Sequence, residues 1–161
     1  MVLSEFSRGD ISEKYLSWLN DPVHMQYSSQ RFFDHTFDST LSYLESFTNS
    51  SNHFFSIKVG KELVGTATLY INSAYSTASP GILIGPEHAG KGFGKQAWKL
   101  LIGEVSVQLG IRKVSAGTLE VNKAMIRLFK SSNMEFEAKL IGEGVFNDIP
   151  TDVLLYRKFL N

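Results

Sequence analysis

The sequence predicts an α+β fold, and three observations carry it. Two helix-patterned segments precede an up-and-down run of strands at 53–85. A single strand–glycine loop–helix unit sits at the centre of the chain, in the segment GILIGPEHAGKGFGKQAWKLL (81–101). Only about sixty residues follow that unit and about eighty precede it without reading as βαβ repeats, too few on either side for a doubly wound nucleotide domain.

The elements follow in order. Residues 2–7 read as a strand and 10–20 as a helix, with Ile11, Tyr15, Trp18 and Leu19 at helical spacing and Asn20-Asp21-Pro22 as its stop. A short helical turn is expected at 22–28. A second helix covers 39–49, with Leu41, Leu44 and Phe47 on its apolar side. Strands at 53–59 and 62–72 flank Gly60-Lys61 as a hairpin, and a third strand at 79–85 enters the glycine loop. A long helix at 92–109 carries Ala97, Leu101 and Val105 on one stripe and ends at Gly110. A strand at 112–119, a helix at 122–131 and strands at 134–141 and 152–159 complete the chain, read as one domain over 1–161.

Composition narrows the classes of function. With 161 residues and 43% hydrophobic content, the chain is long enough to bury a substantial core. Sixteen basic residues balance sixteen acidic ones, which argues against generic nucleic-acid binding or an anionic membrane surface. The absence of cysteine rules out disulfides, cysteine–zinc sites and a cysteine nucleophile. No apolar run approaches the roughly 20 residues that span a bilayer. The opening MVLSEFSRGD lacks the basic and apolar regions of an export signal, so a cytoplasmic location is expected.

The central loop is built to receive an anion. A strand that empties into a glycine-rich turn opening a helix gathers unpaired N–H groups at the positive end of the helix dipole. Glycine lets successive amides converge and lets a phosphate approach the main chain. Three readings compete. Gly85 to Lys91 fits the first seven positions of the Walker A loop, but Gly92 stands where the Mg²⁺-binding Ser or Thr belongs. Gly92, Gly94 and Ala97 satisfy G-x-G-x-x-[GA] of dinucleotide-binding domains, a weak match when it stands alone.

The third reading is a resemblance. Ile84-Gly85-Pro86 followed by Gly92 and Gly94 resembles the V-x-P and [QR]-x-x-G-x-[GA] signature of the GNAT superfamily of N-acetyltransferases, with Ala89 in place of the usual Arg or Gln. The segment KVSAGTLEVNKAMIRLFKSSNMEFEAKL resembles that family's second block, and DISEKYLSWLNDPVHMQY resembles the opening of its RimJ/RimL-type members. The resemblance implies a mixed, mostly antiparallel central sheet flanked by helices, with a V-shaped opening between two central strands where acyl-CoA lies. It implies acetyl-CoA as co-substrate. Main-chain groups of Leu83 and Ile84 would pair with the pantetheine arm, and the loop Gly90, Lys91, Gly92, Phe93, Gly94 and Lys95 would hold the diphosphate. It also assigns Asn122 to the cofactor arm, besides its role as a helix N-cap. The resemblance also places Phe129 against the cofactor, where many members carry a tyrosine that protonates the departing thiolate, a step phenylalanine cannot perform. Asn133 replaces the usual glycine at the end of that helix and tolerates the same left-handed backbone.

The amine must lose a proton before it attacks the thioester, so a base is sought. Glu120 is the first candidate because it closes the second splayed strand beside Asn122. The four histidines, 24, 35, 53 and 88, are alternatives, and no pair of them shows metal-ligand spacing, so no metal is expected. Arg31 and His35, in QRFFDHTFD, and Tyr70 are the candidates for acceptor contacts. The expected partner is a small-molecule amine, an amino sugar being one candidate, with no nucleic acid and no membrane; a homodimer is compatible with the sequence. A protein N-terminal acetyltransferase of RimJ/RimL kind and a non-catalytic acyl-CoA-binding module are the alternatives.

Overall fold

The computed structural model describes residues 1–160. Strand β1 (Val2–Glu5) leads through a 3-10 turn at Arg8–Asp10 to α1 (Glu13–Leu19), and a loop with a 3-10 turn at Ser29–Phe32 leads to α2 (Phe37–Glu45). Ser12 and Thr36 begin the two helices as side-chain caps, accepting the amides of Tyr15 and Ser39. Strands β2 (His53–Val59), β3 (Glu62–Asn72) and β4 (Thr77–Ile84) form the meander. Helix α3 (Phe93–Lys99) runs into a π-helical segment (Leu100–Val105) and the last turn α4 (Ser106–Gln108). Strand β5 (Lys113–Leu119), helix α5 (Lys123–Ser131) and the hairpin β6 (Glu135–Phe146) and β7 (Ile149–Phe159) follow.

The seven strands form one sheet in the order β1-β2-β3-β4-β5-β7-β6. Every neighbouring pair is antiparallel except β4 and β5. The expected mixed, mostly antiparallel architecture is therefore present. Residues alternate between two cores, as strand geometry requires: Phe54 joins a cluster with Phe6, Tyr15, Trp18 and Met25, while Phe55 and Ile57 join Trp98, Leu101, Val114 and Phe129.

Three elements differ from the sequence expectation. The long helix is not uniformly α: at Ser106 both the amide and the hydroxyl donate to the Leu101 carbonyl, five residues back, which stabilises the wider turn. Helix α2 starts two residues earlier than its apolar spacing suggested, at the Thr36 cap. The terminal strands are longer than predicted, because Asn147 and Asp148 (φ 51° and 61°) make a two-residue hairpin turn with both central residues left-handed. At the end of α5, Asn133 takes φ 56° and the Met134 amide returns to the Phe129 carbonyl.

Phe129 is fully buried, its ring 5.6 Å from that of Trp98 and 5.3 Å from that of Tyr156. It joins α5 to α3 and β7 and is a core residue. Phe129→Ala is therefore expected to cost about 3–5 kcal/mol, read from urea denaturation. A loss under about 1 kcal/mol would show that this packing is not needed.

Candidate functional site

Strands β4 and β5 pair only at Thr77↔Lys113 and Ala78↔Val114, then diverge. Each remains fully paired on its other side, β4 with β3 as far as Ile84 and β5 with β7 as far as Leu119. The apex is pinned by the Arg112 amide donating to the Ser76 carbonyl and the Arg112 Nε donating to the Tyr75 carbonyl, both at 2.8 Å. Between the diverging strands lies a cavity of about 620 Å³, bounded by Ile82 and Leu83 on one wall and by Gly117, Thr118 and Asn122 on the other. From Ser79 to Ile84 the β5-facing main chain of β4 has no strand partner, which leaves an edge an extended ligand can join.

The glycine loop lies beyond the end of β4. Gly90 and Gly92 take φ 76° and 79°, and a Cβ built on either meets nothing within 4 Å. The left-handed turn at Gly92 caps α3, whose first main-chain bond is from the Gln96 amide to the Gly92 carbonyl. The amides of Gly90, Gly92, Phe93, Gly94 and Lys95 have no main-chain acceptor among the described residues. Lys91 and Lys95 stand exposed beside them. Converging amides at the start of a helix, open space before them and two flanking cations fit a diphosphate. Trp18 holds the approach to this loop in place: its ring packs so closely on Gly85 that an added Cβ would come within 2.4 Å.

The other candidates are distributed unevenly. Asn122 caps α5, its Oδ1 accepting the Met125 amide at 3.2 Å, and also borders the cavity. His35 reaches the cavity, with its Nε2 3.0 Å from the Gln30 carbonyl. Glu120 does not line the cavity: its carboxylate turns outward to Lys139 at 3.1 Å, and Lys139 also pairs with Asp152 at 2.9 Å. Two carboxylates on one lysine hold the Glu120 side chain away from the acyl site, which corrects the expectation that it serves as base.

Arg31 is likewise occupied. Its guanidinium donates to the Gln26 carbonyl and, at 2.6 Å, to the Val145 carbonyl, and lies over the Phe32 ring. Together with the Tyr27–Phe146 stack (5.5 Å), it ties the α1–α2 loop to the β6–β7 hairpin instead of facing the cavity. Tyr70 also stays outside the cavity, but its hydroxyl lies 2.5 Å from that of Tyr43, which does line it. Phe129, buried in the core, is not positioned to touch a ligand in the cleft, so its expected contact with the cofactor is corrected as well.

Sequence reasoning missed Tyr15, Tyr43 and Asp34 as cavity residues. Tyr43 had one usable signal, an aromatic standing off the Leu41–Leu44 stripe of its helix. Burial pushes the Tyr15 phenol up to about 12, against a hydrogen bond from Thr66 that lowers it. Burial, followed by the Tyr70 hydroxyl, also pushes Tyr43 upward. Both phenols are neutral donors near pH 7. Among the described residues no cluster of three metal-ligating side chains occurs, and no helix is long and apolar enough to cross a membrane.

A cleft between diverging strands, with a glycine loop of unpaired amides beyond the end of β4, is the arrangement an acyl-CoA-handling transferase needs. The family model described as the acetyltransferase (GNAT) domain matches residues 1–135. The chain belongs to this family and is an acyl-CoA-dependent N-acetyltransferase, with acetyl-CoA as its co-substrate. No curated protein matches the sequence. Among solved structures, spermidine N-acetyltransferase from Vibrio cholerae in complex with CoA and spermine shares 24% identity, over 98% of this chain and 94% of that one, with a TM-score of 0.85. The ribosomal-protein-alanine N-acetyltransferase of Brucella melitensis shares 18%, over 99% and 100%, at 0.86. RimL, a ribosomal L7/L12 α-N-protein acetyltransferase in complex with coenzyme A, shares 14%, over 98% and 93%, at 0.87. At these identities the likeness is one of fold.

Gly92→Val places a β-branched residue at φ 79° and a side chain in the open space before the amides. Wild type is expected to gain about 2.7 kcal/mol of stability at a CoA concentration of 100 Kd, and this variant to gain almost none, as read by thermal shift. Equal stabilisation of both proteins would place the diphosphate elsewhere.

Proposed function

We propose that the protein acetylates the primary amine of a small molecule with an apolar or sugar-like body and a single positive charge. The observation that carries this reading is the make-up of the cavity: Tyr15, Phe33, Tyr43 and Phe54 supply aromatic surface, and Asp34, exposed at the mouth, is the only carboxylate on its lining among the described residues. One carboxylate matches one ammonium, and aromatic faces suit an apolar or sugar-like body. A polyamine carries several charges and would call for several carboxylates. The loop–hairpin tie through Arg31 and Tyr27 also favours a compact acceptor over a folded protein's N-terminus.

In this reading the acetyl donor lies between β4 and β5. The main chain of Leu83 and Ile84 orients its pantetheine arm, and the amides and lysines of 90–95 hold its diphosphate. Asn122 adds a side-chain contact to the same arm. His35 sits on the acceptor side, and Tyr70 acts through Tyr43. The protein supplies position and polarisation, so direct transfer needs no enzyme nucleophile.

The test is thiol release over a panel of amino sugars, small monoamines, polyamines and N-terminal peptides. Turnover is expected to be highest with a monoamine or amino sugar, and the best kcat/KM with a polyamine or peptide would overturn the reading. Asp34→Asn should raise KM for that amine about tenfold with KM for acetyl-CoA unchanged, the loss of roughly 1.4 kcal/mol of charge recognition.

A further inference from the structure

We propose that His24 is the proton acceptor of the transfer, taking the proton from the acceptor's ammonium group beside the end of β4. The inference rests on acetyl transfer to an amine and holds for whichever amine the cavity takes.

Position carries the argument. His24 follows Asn20-Asp21-Pro22 in the turn after α1, where the Asp21 carboxylate accepts the amides of Val23 and His24 at 2.9 and 3.1 Å and fixes the backbone. His24 borders the same cavity as Leu83 and Asn122, so it lies on the space enclosed by both arms of the V. The ring reaches the Ile84 backbone, at the end of the unpaired edge of β4. Its Nε2 is buried, so Nδ1 is the ring nitrogen left to meet a ligand, and no side chain among the described residues bonds it. A half-buried imidazole held against the acyl-binding strand, and committed to no side chain, is available for proton transfer.

The remaining titratable groups fail one requirement each. Glu120 faces Lys139 outside the cavity. His53 pairs with Glu5, and His88 lies behind the glycine loop against Trp18 and Phe93, off the cavity lining. Among the described residues His35 bonds only to Asn20 and Gln30, in the segments on either side of the turn after α1, and Asp34, exposed at the mouth, meets the ammonium on entry rather than at the acyl group. Tyr15 and Tyr43 hold their protons near pH 7.

The charge environment of His24 agrees. Burial lowers its pKa, outweighing Asp21 on its own turn, Glu87 on the turn after β4 and the Ile84 backbone, all of which act to raise it. Lys14 of α1 lies 2.8 Å from Glu87 and offsets that charge. The ring is thus neutral at pH 7 and gains its charge only as pH falls below the ordinary histidine range.

The step balances. His24 takes one proton from the ammonium, and the freed nitrogen pair forms a bond to the acetyl carbonyl carbon. The C–S bond breaks with its electrons on sulfur, a second N–H proton passes to that sulfur, and the imidazolium returns its proton to solvent. The net products are amide, thiol and one proton.

His24→Gln is expected to lower kcat about 10²-fold or more, leave KM for acetyl-CoA within about twofold and remove the acidic limb of the pH–rate profile. His24→Gly should recover activity with added imidazole. A His24→Gln enzyme within about threefold of wild-type kcat and retaining the acidic limb would overturn the proposal. A second readout needs no acceptor and no variant. In ¹⁵N-histidine NMR of the wild-type protein, the His24 ring should titrate below the ordinary histidine range and shift on adding CoA. A ring that titrates at or above that range, or that ignores CoA, would overturn the proposal. Failure of the amine panel to favour small monoamines leaves both readouts standing.

Discussion

The structure depends on a pairing that stops. Strands β4 and β5 share two residue pairs and then part, although each stays fully bonded to its other neighbour. Buried main-chain groups must find partners, so a half-paired strand inside a seven-stranded sheet is costly unless a ligand or water completes it. That constraint creates the cavity, leaves the edge of β4 open and aims the strand at the glycine loop. Arg112 supports it by fixing the apex through two bonds to the turn before β4, so that the divergence begins at a defined residue.

Two aromatic arrangements show how the rest of the chain serves this opening. Phe129 lies between Trp98 and Tyr156 and binds α5 to the helix behind the glycine loop. With no hydroxyl to place, its position is governed by packing alone, and the thiolate must gain its proton from another source. On the opposite side, Tyr27 on Phe146 and Arg31 on the Val145 carbonyl join the α1–α2 loop to the hairpin. The two arms of the V are thereby connected above the cavity as well as at its apex.

Features set by local chemistry were legible in the sequence. The glycine loop, the Gly60-Lys61 turn, the Asn122 cap and the left-handed Asn133 each depend on a few adjacent residues, and each is found where the residues indicated. Features set by distant partners were not. Glu120 is turned outward by Lys139, nineteen positions away, and Arg31 is drawn to a carbonyl 114 positions away. Tyr70 is diverted to Tyr43 across twenty-seven positions. No periodicity records such pairings, so the strand ends and the loop could be read while the fates of the charged side chains could not. The terminal hairpin was undercalled for a different reason, since Asn-Asp is a weaker turn signal than Asn-Gly.

The π-helical segment at Leu100–Val105 carries a consequence for the angular phase of the whole helix. Successive residues of an α-helix advance by about 100°, so a wider turn delays everything beyond it. Ala97, Trp98, Leu101 and Ile102 pack in the core before and within it, and Ser106, just beyond it, is again fully buried. Removing one residue there would restore regular winding with both ends on their present bearing, whereas regular winding with every residue kept would swivel the loop-facing end by roughly that same angle. The widened turn thus works as a rotational spacer, taking up one residue so that the glycine-loop end keeps its compass bearing while the helix body packs.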